Sequence, residues 1–102
     1  MSPAIFKYKG IVIRVFTLDH KPVHVHAFVQ GGYGMKVIFH LEENKIIRIE
    51  YVNLKGKKNF SPAMMRDLKK LVDLFKEKMV SDFITLVIEQ KPIHNTIIIS
   101  KL

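Results

Sequence analysis

Val23-His24-Val25-His26-Ala27-Phe28-Val29 alternates without a break, and its reading decides the fold. Side chains on a strand leave opposite faces in turn. Val23, Val25, Ala27 and Val29 therefore line one side, and His24, His26, Phe28 and Gln30 line the other. Upstream, Ile5–Tyr8 and Ile11–Leu18 are short runs rich in β-branched and aromatic residues, separated by the turn signal Lys9-Gly10. Asp19-His20-Lys21-Pro22 interrupts them, because Pro22 lacks the backbone donor a central strand needs. Downstream, Gly31-Gly32-Tyr33-Gly34 reads as a hairpin turn. Met35–Leu41 and Ile46–Val52 are two further strands joined by Glu42-Glu43-Asn44-Lys45. Links this short allow antiparallel neighbours and no parallel crossover.

The period changes after residue 60. Ser61 is a good N-cap and Pro62 suits the first helical position. Met64, Leu68, Leu71, Val72, Phe75 and Met79 recur at spacings of three and four, which predicts an amphipathic helix over about residues 62–78. Arg66, Lys69, Lys70, Asp73, Lys76 and Glu77 mark its wet side. Residues 81–90 fit either a short second helix capped by Asp82 or a buried strand; the helix is the reading taken. Pro92 ends it, and Thr96–Ser100 is expected as a last strand. The expectation is a single α+β domain over residues 1–102, with an antiparallel sheet of five to six strands. One main helix and a short second helix would pack on one face.

Composition narrows the functions. The 102 residues carry 17 Lys+Arg against 9 Asp+Glu, a formal charge of +8, and no Cys. A disulfide framework, a thiolate nucleophile and a cysteine zinc site are excluded. No apolar run is long enough to span a bilayer and no secretory signal is visible at the start, so neither a membrane association nor export is expected. The positive charge is spread along the chain. It is either a solvated surface or an attraction to a polyanion such as nucleic acid.

Chemistry concentrates in Asp19-His20-Lys21-Pro22-Val23-His24-Val25-His26, which holds three of the five histidines. His24 and His26 are two apart on one strand face, so their Cα atoms lie about 6.5–7 Å apart. Two imidazoles at that spacing can hold one divalent metal such as zinc. They can also flank a scissile phosphate as general base and general acid, or simply hydrogen-bond to neighbours on a half-covered face. Asp19 or His20 can supply a third ligand, and Asp19 can orient a ring. A second cluster, Lys55, Lys57 and Lys58 with Arg66, precedes and enters the helix. It can meet phosphate near the helix N-terminus or be a solvated loop. Tyr8, Phe28, Tyr33 and Tyr51 can stack on bases where they are exposed and fill the core where they are not. His40 and His94 are isolated and read as structural.

Pro3-Ala4-Ile5, Gly10 and Phe16-x-x-Asp19-His20-x-Pro22-x-His24-Val25-His26 together resemble the family called domain of unknown function 4160 (DUF4160). The likeness covers nearly the whole chain. Val23 stands where the family usually has a second proline, and the family's usual helical tryptophan is absent. The resemblance implies a small bacterial cytoplasmic protein without a settled activity, often encoded beside a second small protein in an arrangement like a toxin–antitoxin pair. It places the family motif on Asp19, His20, Pro22, His24 and His26 and brings no catalytic role with it. The functional expectation is therefore a nucleic-acid-interacting protein of such a pair. If it is an enzyme, it is a His-dependent, ribonuclease-like hydrolase. A non-catalytic protein-interaction module and a divalent-metal-binding domain are the alternatives.

Overall fold

A computed structural model describes residues 3–17, 22–93 and 96–102. Strands β1 (Ala4–Tyr8), β2 (Ile11–Arg14), β3 (His24–Val29), β4 (Tyr33–Glu42) and β5 (Lys45–Asn53) precede helix α1 (Pro62–Phe83). A π-helical stretch (Ile84–Ile88) and strand β6 (Ile97–Ile99) follow. The six strands form one sheet in the order β5-β4-β3-β2-β1-β6. The first five strands pair antiparallel, as the short links require. The Cα radius of gyration is 12.8 Å, against about 13 Å for one folded domain of this length.

Local chemistry accounts for the turns. Lys9 and Gly10 both have positive φ (47° and 79°), as do Glu43 and Asn44 (53° and 66°). Each pair is the two-residue link between strand partners, Tyr8↔Ile11 and Glu42↔Lys45. Left-handed residues give such a link the twist its strands need. The turn read at residues 31–34 is narrower than expected: Gly31 and Gly32 make the bend, while Tyr33 and Gly34 already belong to β4.

The antiparallel expectation needs one correction. β6 pairs with β1 in parallel, Phe6↔Ile97 through Tyr8↔Ile99, so one edge of the sheet is mixed. The whole chain between β1 and β6 supplies the long connection that a parallel neighbour demands. The helix also runs past its expected end. Ser61 caps it as read, its hydroxyl accepting from Met64 N–H at 3.2 Å. At Phe75 (φ −123°, ψ 17°) the backbone leaves helical values and α1 kinks; it then resumes to Phe83 and runs on into the π-helical stretch. The segment beyond that kink, running on into the π-helical stretch, stands where the short second helix was expected and begins earlier than the sequence suggests. Its wider winding shows in the bond from Glu89 N–H to the Ile84 carbonyl at 2.9 Å, five residues back.

One face of the sheet is dry. Phe6, Tyr8, Ile11, Ile13, Val25, Ala27, Met35, Val37 and Phe39 are buried there, under Leu68, Leu71, Val72 and Met79 of α1. The Phe75 ring meets the Phe6 ring with centroids 5.1 Å apart, which fixes the helix on this side. The opposite face, carrying His26 and Phe28, is half-exposed.

Candidate functional site

On that outer face, strand register decides which side chains meet. His26 lies directly across from Arg14 on β2 and from Lys36 on β4. Directly opposed residues share a face, so a row of two permanent cations and one imidazole crosses the middle three strands. Phe28, two residues along, faces Val12 and Gly34.

Three rings pack together here. Phe16 stands edge-on to His26 at 4.6 Å and to Phe28 at 6.3 Å. The His26 and Phe28 rings are nearly parallel, 16° apart, at 6.1 Å. Edge-to-face contact between aromatic rings is favourable because a positive rim meets a negative face.

Gly34 brings the lysine loop to these rings. A Cβ on Gly34 would lie 2.9 Å from Lys57 Cγ and 3.2 Å from Leu54 Cδ1. The bare backbone instead lets residues 54–58 lie against the start of β4. Lys58 N–H donates to the Gly32 carbonyl at 2.8 Å, and Gly34 N–H donates to the Lys58 carbonyl at 3.2 Å. The Lys57 ammonium then sits 5.9 Å from the centre of the Phe28 ring, within cation–π range. Phe16, His26, Phe28, Leu54, Lys55 and Lys57 line an open groove of about 390 Å³.

The expected residues therefore separate. His26, Lys55 and Lys57 come together although about thirty positions divide them in sequence. Lys58 turns to the Tyr33 ring, 5.4 Å away. Arg66 is exposed on α1 and is not among the residues lining the groove. His24 shares a side with His26, ring centroids 5.1 Å apart, but is only 7% exposed and packs against Phe83 at 5.5 Å. Its Nδ1–H donates to the Pro22 carbonyl at 2.7 Å, which in the neutral ring places the lone pair on Nε2. Asp19 and His20, the other two motif residues proposed as ligands or orienters, lie outside the described residues, as does His94.

Among the described residues no group of three or more His, Cys, Asp or Glu is arranged to hold a metal ion. Among the described residues no helix is long and apolar enough to cross a membrane. His40 has a structural partner: its Nε2–H donates to Glu50 at 2.9 Å on the neighbouring strand. Of the aromatics singled out, Tyr8 is core at 3% exposure. Tyr51 lies under Lys69, 5.6 Å from its ring centre. Burial, and then the charge of Asp73, push the Tyr51 phenol up to about 12.

Sequence reasoning missed Arg14, Lys36, Phe16 and Leu54 as members of this surface. Arg14 and Lys36 follow from strand register alone. The signal for the loop was Gly34, since a glycine inside a strand often marks a close backbone approach.

Fold and site define a class: a small α+β domain whose helix covers one sheet face and whose other face presents an aromatic and imidazole groove rimmed by lysines. A family model described as Domain of unknown function (DUF4160) matches residues 10–83, from the first turn through α1, and the chain belongs to that family. No curated protein and no solved structure matches this chain.

Proposed function

We propose that this chain binds nucleic acid on the outer sheet face and serves as the nucleic-acid-interacting member of a toxin–antitoxin-like pair. The observation that carries the binding is the meeting of two ligand chemistries in one groove. Phe16, His26 and Phe28 offer flat rings, and Lys55 and Lys57 stand at the rim, with Arg14 and Lys36 flanking His26. Bases want the first and phosphates want the second. A net charge of +8 favours encounter with a polyanion. The partnered arrangement rests on the family likeness.

The test is salt-dependent binding of a labelled oligonucleotide. If Arg14, Lys36, Lys55 and Lys57 each neutralise a phosphate, log affinity falls against log salt with a slope of about −3. The double variant Lys55→Ala/Lys57→Ala should flatten that slope by about 1.4. Absence of binding at low salt would overturn the reading.

One observation favours a second reading, proton chemistry on the bound strand. The Pro22 carbonyl holds the His24 tautomer with its lone pair on Nε2, in a ring beside His26. A general base needs that lone pair. His26 would face the strand, and His24, 7% exposed, would exchange its proton through His26 rather than touch the strand. Purified chain and the double variant His24→Ala/His26→Ala should then differ in degrading total RNA. Equal degradation removes both residues from such a mechanism.

A further inference from the structure

Resting on the binding reading above, we infer that the groove takes single-stranded nucleic acid in preference to duplex and reads little base sequence. Three features carry this.

The first is where the groove lies. β3 is an interior strand, with β4 and β5 on one side and β2, β1 and β6 on the other. Six strands at about 4.8 Å spacing make a surface roughly 24 Å across, while a major groove about 12 Å wide admits only a helix or a two-stranded ribbon. The rings therefore stay out of reach of base edges in a paired helix. A flexible single strand can lie across the sheet and bring its bases to them.

The second is the chemistry of the lining. Aromatic faces stack on unpaired bases, whose own faces a duplex keeps occupied. Phe16, Phe28 and Leu54 carry no hydrogen-bonding side chain, and among the described residues no amide or carboxylate side chain lines the groove. Amides read adenine and carboxylates read cytosine, so the described lining offers neither contact, and Lys55 and Lys57 are left as the side chains that could favour a guanine edge over a phosphate. Every base has a flat face, so a site built on stacking and cations accepts them all.

The third is Lys57. Its ammonium lies over the Phe28 ring, 5.9 Å from the centroid, where a base would stack. An arriving strand offers both a base for the ring and a phosphate for the ammonium. Lys57 can then trade a cation–π contact for a phosphate contact as the ring is covered.

The experiment uses the full chain and fluorescence anisotropy with a labelled mixed-sequence oligonucleotide, as RNA and as DNA, each alone and annealed to its complement. Either sugar satisfies the inference. The single strand should bind at least about tenfold tighter than its duplex. Phe28→Leu, which keeps apolar volume and removes the π face, should weaken single-strand binding about tenfold, whereas Phe28→Tyr should retain it. Thermal melts of both variants confirm that they fold. Oligo-A and oligo-U strands should differ in affinity by less than about tenfold. Equal binding of strand and duplex, or an unchanged affinity for Phe28→Leu, would overturn the inference and leave nucleic-acid binding standing. Failure of every oligonucleotide to bind would remove both.

Discussion

The two faces of this sheet come from the same strands and the same alternation, yet they differ in what covers them. On one face Val25 and Ala27 are fully buried beneath α1. On the other, His26 and Phe28 are half-exposed and share their surroundings with cations. A strand in a two-layer domain needs only one dry face to fold. The second face is released from that duty, so polar and aromatic groups there cost little stability and are open to function.

The comparison can be broken most directly by substitutions of equal size on each side. Phe39→Ala empties a site that is 1% exposed, and it should cost about 3–5 kcal/mol in urea unfolding. Phe28→Ala, the same truncation on the half-exposed face, should cost less than about 2 kcal/mol. Matching losses would mean that the outer face is core after all.

Gly34→Ala sharpens the comparison, because it attacks the contact that seats the lysine loop on the open face. The added Cβ meets the stem of Lys57 at 2.9 Å, and the displaced loop should lower stability by about 1–3 kcal/mol. It should also weaken oligonucleotide binding toward that of the double lysine variant. A loss of stability without any change in binding would show that the loop's seat and the groove are independent.

The covered face has its own smaller test. Ser61→Ala removes the cap that starts α1 and should cost about 1 kcal/mol in urea unfolding, with binding unchanged.

Tyr51, at the rim of the covered face, provides the smallest effect. Its phenol titrates near 10 when unfolded and about 12 when folded, through burial and then Asp73. The neutral form is the one the fold favours, so its contribution is present below pH 10 and is lost as pH rises toward 12. Alkaline unfolding of wild type should therefore steepen across that window relative to Tyr51→Phe. Parallel curves would place Tyr51 in water.

How much of this could be read from the sequence follows the range of the interactions involved. The alternation at 23–29, the hairpin at Lys9-Gly10 and the cap at Ser61 are local, and all were legible. The parallel pairing of β6 with β1 was hidden, because nothing near Ile97 says which edge it joins. The kink at Phe75 and the early start of the helical segment beyond it were hidden too: Phe75 packs on Phe6 and Phe83 on His24, contacts that belong to the tertiary fold. The site divided in the same way. Shared sidedness of His24 and His26 came from strand geometry. The burial of His24, and the arrival of Lys55 and Lys57 beside His26, depended on packing that only the assembled sheet supplies.

The late arrival of β6 has a consequence for synthesis. Thr96 Oγ1–H donates to the Ala4 carbonyl at 2.7 Å, joining positions 92 residues apart. Until that segment emerges from the ribosome, the outer rim of β1 is an open row of amides and carbonyls, a template on which a stray chain can zip. Protease trimming that removes only the final strand would recreate the same adhesive rim on an otherwise folded molecule. With β6 in place the open edge passes from the five residues of β1 to the three of β6, a shorter row on which a stray chain could pair.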